Sequence, residues 1–150
     1  MPAISSIEGR FGYGFPVSGA APRVWSFVYN GDGSVVTGGG TAVSYYITGP
    51  NDGGGDGWSV ARSYFSSATS FTMSWDWRTD DGITYDWPFY NISTSAPSSY
   101  GGQAKLASAN SQTGTTVINI PAGNWFSVGC YALDSCCGRG FCTFSALPAV

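Results

Sequence analysis

The residues able to do chemistry are few in this chain, and they fall in two short stretches. The first spans residues 74–87, where Asp76, Asp80, Asp81 and Asp86 alternate with Trp75, Trp77, Tyr85 and Trp87. Carboxylates and backbone carbonyls in a tight, glycine-containing loop can supply the oxygens that a hard cation takes, so Asp80, Asp81 and Asp86 are candidate Ca²⁺ ligands. Asp80-Asp81-Gly82 is equally an ordinary turn, in which Asp side chains bond to nearby amides. Two carboxylates at a suitable separation would also serve glycoside hydrolysis. Trp75, Trp77, Tyr85, Trp87 and Tyr90, set beside carboxylates, fit a sugar-binding cleft, although such aromatics more often fill the core of a sandwich.

The second stretch holds all four cysteines: Cys130, Cys136, Cys137 and Cys142. If residues 134–138 connect a hairpin, Leu133 sits opposite Arg139 and Cys130 opposite Cys142, a separation that a cross-strand disulfide spans where the pair is the closer, non-hydrogen-bonded kind. Cys136 and Cys137 then lie at the loop tip, bonded to each other or exchanged with the strand cysteines. A Cys₄ metal site is the rival reading, but adjacent cysteines fit poorly with the CxxC knuckles of structural zinc. Buried reduced thiols are the third. Disulfides imply an oxidising surrounding.

The chain has no histidine. That absence removes Ser-His-Asp and Cys-His nucleophile systems, imidazole metal ligands and the commonest general base, so the chain is expected not to be an enzyme. The six basic residues are scattered and the formal net charge is −3, which leaves little to hold a phosphate backbone. No apolar run is long enough for a membrane helix. The first residues lack the basic start and apolar stretch of a secretory signal. Together with Met1, this favours a protein made in a cytoplasm and exposed later, as virion subunits are, over the mature part of a secreted protein.

The elements that would position these residues are strands. Across the 150 residues, apolar side chains alternate with period two, and 22 glycines with Pro, Asn and Asp punctuate the pattern at short intervals. Strands are expected over residues 24–29, 34–37, 42–48, 58–62, 70–78, 88–92, 103–108, 115–120, 125–133 and 139–147. Asn30-Gly31-Asp32-Gly33 predicts a hairpin between the first two. Evenly spaced short strands predict an all-β fold: an antiparallel two-sheet β-sandwich, of jelly-roll type, over residues 23–150. Residues 1–22, rich in Gly, Pro, Ser and Ala, read as an extended N-terminal arm, with Phe11, Tyr13 and Phe15 able to dock on a neighbouring subunit. Residues 51–57 read as a flexible connector. Aromatics make up 16% of the chain and charged residues only 10%, so the surface should be neutral and hydrogen-bonding.

Residues 71–77, 79–82, 85–92, 121–126 and 134–140 resemble segments of CUB-like jelly-roll domains in bacterial, particularly cyanobacterial, surface proteins. The likeness covers about half the chain. It implies a sandwich of about ten strands used for extracellular attachment or assembly, with no catalytic residues. CUB domains often bind Ca²⁺ through acidic loops, which again points to Asp80, Asp81 and Asp86. Residues 9–14 resemble the starts of phage and giant-virus structural proteins. The expectation is therefore a structural virion subunit, capsid-decorating or tail-associated, that contacts other copies of itself or other structural subunits. A glycan-binding or adhesion module, with or without Ca²⁺, is the alternative. A glycosidase comes third.

Overall fold

Among the described residues, ten strands realise the period-two pattern: β1 (Trp25–Asn30), β2 (Ser34–Gly38), β3 (Val43–Thr48), β4 (Gly57–Phe65), β5 (Thr69–Thr79), β6 (Asp86–Ser93), β7 (Ala104–Lys105), β8 (Ser111–Ile120), β9 (Asn124–Ala132) and β10 (Gly140–Leu147). The computed structural model describes residues 24–38, 43–97 and 104–149. The expected arm, with Phe11, Tyr13 and Phe15, lies outside the described residues.

The strands form two antiparallel five-stranded sheets. Sheet A has the order β1-β4-β9-β6-β7 and sheet B the order β2-β3-β10-β5-β8. The molecule is thus an all-β sandwich, as the alternation predicts. One parity of each strand points inward and meets the other sheet. Trp77, Met73, Phe144 and Ile118 from sheet B pack with Phe65, Phe126 and Val128 from sheet A, all almost wholly removed from water. Each such side chain contributes about 1.5–3 kcal/mol by leaving water. Phe126 is a hub of the aromatic packing, edge-on to Trp25, Phe65 and Phe71.

Among the described strands, only β2 and β3, and β6 and β7, are successive in the chain and in the same sheet. Two expectations fail on this point. The residues after β1 turn a corner into sheet B instead of closing a hairpin, because β1 pairs with β4 and β2 with β3. Residues 133–139 likewise cross between sheets: β9 pairs with β4 and β6, whereas β10 pairs with β3 and β5. Asn-Gly-Asp-Gly and the cysteine loop carry turn chemistry that either geometry satisfies, and the inward apolar face of each strand decides for the corner.

Several connections gather at one end of the sandwich, and Arg139 ties three of them. Its Nη1 donates to the carbonyls of Gly49 (2.9 Å) and Asp32 (3.1 Å), and its Nη2 to Asp32 Oδ2 at 2.7 Å. Asp32 Oδ1 accepts from the Asn51 amide, and that bond, with Arg139 next, holds the Asp32 carboxyl below its ordinary range. Gly53 donates to the Ser135 carbonyl at 2.7 Å. The connector at 51–57 is therefore pinned to the corner at 133–139. Gly138 rests directly on the Asp80–Asp81 backbone, where a Cβ would come within 2.5 Å of the Asp81 nitrogen.

Candidate functional site

The acidic stretch does not assemble as a metal centre. Asp80 is exposed, Asp81 half-buried and Asp86 buried, and the described residues hold no group of three His, Cys, Asp or Glu able to hold a metal ion. The three carboxylates expected to ligate Ca²⁺ thus form no such group among the described residues. Asp86 opens β6 with its side chain inward, where Oδ2 accepts from the Thr79 hydroxyl at 2.7 Å. Burial raises its pKa to about 6, against the Thr79 bond; the nearby Asp81, Asp134 and Asp80 charges raise it further. The Asp81 backbone amide donates to Thr79 Oγ1 at 3.1 Å, a bond of its main chain and not of the carboxylate that the turn reading invokes.

The five aromatics of the expected cleft do not share a surface. Trp75 and Trp77 lie in the core, Trp75 bonded to Thr116 Oγ1 and Trp77 fully enclosed. Tyr90 also points inward, toward Phe126. Trp87 has the opposite parity on β6 and faces outward, tilted against Tyr131 with Lys105 Nζ 4.6 Å from its ring centre. Tyr85 is exposed on the loop before β6. Gly114 explains the seat of Trp75: a Cβ there would fall 2.4 Å from its ring.

Cys136 and Cys137 are disulfide-bonded to each other, Cα atoms 3.8 Å apart, in the corner between β9 and β10, where Cys137 is exposed and Cys136 half-buried. Cys130 and Cys142 are free and buried, on the inner faces of opposite sheets. The expected cross-strand bridge is absent because those strands are not neighbours in a sheet. Burial pushes both thiols well above their ordinary pKa, so neither is a nucleophile. A thiol reagent should label neither cysteine in the native, unreduced protein and both after unfolding in denaturant. Rapid labelling before unfolding would contradict their placement.

The outer faces of the two sheets differ. On sheet A, Trp58, Tyr131 and Trp87 form one lateral row across β4, β9 and β6, and Tyr64 and Trp125 form a second. Between them Val60, Phe89 and Ser127 are buried. The segment leaving β6 doubles back over this face, because Arg62 on β4 donates to the Pro97 carbonyl.

No described segment crosses the outer face of sheet B. There Tyr46 on β3 and Phe141 on β10 lie with rings 24° from parallel and 6.3 Å apart, and the Arg78 guanidinium sits 4.1 Å from the Phe141 ring centre. With Asp76 and Thr143 they line a shallow depression of about 100 Å³. Register assembles it: Thr143 faces Tyr46 on one side and Asp76 on the other, while Phe141 faces Arg78. A larger hollow of about 350 Å³, lined by Ala68, Thr69, Ser70, Asn119, Ile120 and Pro121, offers no ionisable side chain. The Tyr46–Phe141 site joins aromatic faces to one carboxylate, one guanidinium and two hydroxyls, those of Thr143 and Tyr46. Sequence reading missed it because its members come from three strands; the outward parity of Tyr46, Asp76, Arg78 and Phe141 was the available signal.

Fold and surface together define a two-sheet antiparallel β-sandwich with a polar outer face on sheet B and a small aromatic depression in it. No protein family matches the chain, and no curated protein matches its sequence.

Proposed function

We propose that this chain is a non-catalytic structural protein, a virion or extracellular subunit of the capsid-decorating or tail-associated kind, whose partners are other copies of itself or other structural subunits. The observation that carries this reading is the outer face of sheet B. Thr72, Ser74, Thr113, Thr115, Thr143 and Ser145 present hydroxyls over three adjacent strands, with Asp76 and Arg78 the charges among them and Phe141 and Val117 the apolar side chains. Such a surface hydrogen-bonds to a neighbour without stripping water from many charges. The resemblance to CUB-like surface domains is in keeping with it. The depression on this face has a single carboxylate, whereas hydrolysis of glycosides by the usual route needs two. Native mass spectrometry on material isolated from its source without reductant should show the chain in a fixed stoichiometry with itself or another structural protein. Isolation solely as a free monomer would overturn the proposal.

The Tyr46–Phe141 depression supports a second reading, a glycan-binding or adhesion module. Aromatic faces stack against sugar rings, and Asp76, Arg78 and Thr143 would bond ring hydroxyls. Tyr46→Ala combined with Phe141→Ala should abolish retention on a glycan array at unchanged thermal stability, while Trp77→Phe should not. No retention by the parent chain would remove this reading.

A further inference from the structure

A sandwich has four edge strands, and here they are unequal. Sheet A ends on β1, six residues long, and β7, two residues; sheet B ends on β2, five residues, and β8, ten residues. Edge strands expose unpaired amides and carbonyls, and monomeric proteins blunt them by shortness, charge, proline or a bulge. β8 has none of these devices. Its sequence, Ser-Gln-Thr-Gly-Thr-Thr-Val-Ile-Asn-Ile, contains no charged residue and no proline, and its ten consecutive pairs with β5 run without a register shift. No described strand lies on its other side.

We infer that β8 is the site of self-association, pairing antiparallel with β8 of a second copy so that two B sheets join into one ten-stranded sheet. The inference rests on the assembly reading above and adds to the outer face of sheet B a contact along its edge. Self-pairing is favoured by the strand's own pattern. Ser111, Thr113, Thr115, Val117 and Asn119 all face outward. An antiparallel pair that keeps outward residues opposite outward residues, centred on Thr115, sets Ser111 against Asn119 and Thr113 against Val117. The first is a hydrogen-bonding pair and the second a β-branched pair, and both kinds stabilise sheets. No like charges meet. A charged peptide would find no counter-charge on this edge, whereas a second copy finds matched chemistry from Ser111 to Asn119.

The test uses the full chain and two surface variants. One carries Thr113→Lys, Thr115→Lys and Val117→Lys; the other carries Glu at the same three positions. All three side chains point to solvent, with Val117 63% exposed, so the fold should survive, as thermal unfolding would verify. By sedimentation equilibrium the parent should self-associate, each variant alone should do so at least tenfold more weakly, and an equimolar mixture of the two should recover a heterodimer. Undiminished association of the lysine variant, or a mixture that fails to recover, would overturn the β8 contact while leaving assembly intact. A parent that stays monomeric at every concentration would overturn assembly as well.

Discussion

Truncation of Trp77 to alanine should lower the unfolding free energy by about 3–5 kcal/mol. Its indole is fully enclosed between the sheets, beneath Gly140, where a Cβ would come 2.4 Å from the ring. Removing it empties a volume that inner faces held in register by their ladders cannot collapse into. Trp77→Phe should be milder, at under about 2 kcal/mol, because Nε1 has no hydrogen-bond partner to lose and much of the ring volume is kept. Denaturant unfolding at fixed pH measures both. A loss for Trp77→Ala below about 1 kcal/mol, the level of an ordinary surface change, would contradict its place in the core.

Substitution of Asp86 by asparagine should stabilise the protein above pH 7. A carboxyl whose folded pKa is raised favours its protonated form in the fold. Its contribution is therefore fully present below the unfolded value of 3.8 and lost as pH rises through about 6. That gap corresponds to about 3 kcal/mol. The asparagine side chain has nearly the shape of the carboxyl it replaces, and its carbonyl oxygen can accept from the Thr79 hydroxyl as Oδ2 does. Asp86→Asn should gain about 1–3 kcal/mol over the parent at pH 8 and almost nothing at about pH 3. The difference between the two proteins isolates this group from Asp80, Asp81 and Asp134. If Asp86 were instead a Ca²⁺ ligand, the variant would lose stability and the parent's melting would respond to chelator.

Strand content was legible because alternation is local: Trp25-x-Phe27-x-Tyr29 and Met73-x-Trp75-x-Trp77 need no knowledge of partners. Which sheet each strand joins was not. Residues 30–33 and 133–139 carry turn residues that suit a hairpin or a corner, and the choice is made by inner faces far away in sequence. The cysteine arithmetic failed for that reason alone, although adjacency of Cys136 and Cys137 did allow their bond. Proximity in sequence also misled the aromatic reading. Tyr90 and Trp87 are close neighbours on β6 yet point to opposite faces, because odd and even positions diverge. Asp86 was read as a ligand because sequence gives no sign that a carboxylate opening a strand will be enclosed. The depression on sheet B joins residues of β3, β5 and β10, and only register brings Tyr46, Asp76 and Phe141 together.

Amide hydrogen exchange along β8 tests most directly whether this sandwich assembles through its open edge. In concentrated protein, the β8 amides that point away from β5 should exchange slowly and recover fast exchange on dilution, while the amides of the central strand β10 stay protected throughout. Exchange of those β8 amides at one fast rate, independent of concentration, would contradict the account.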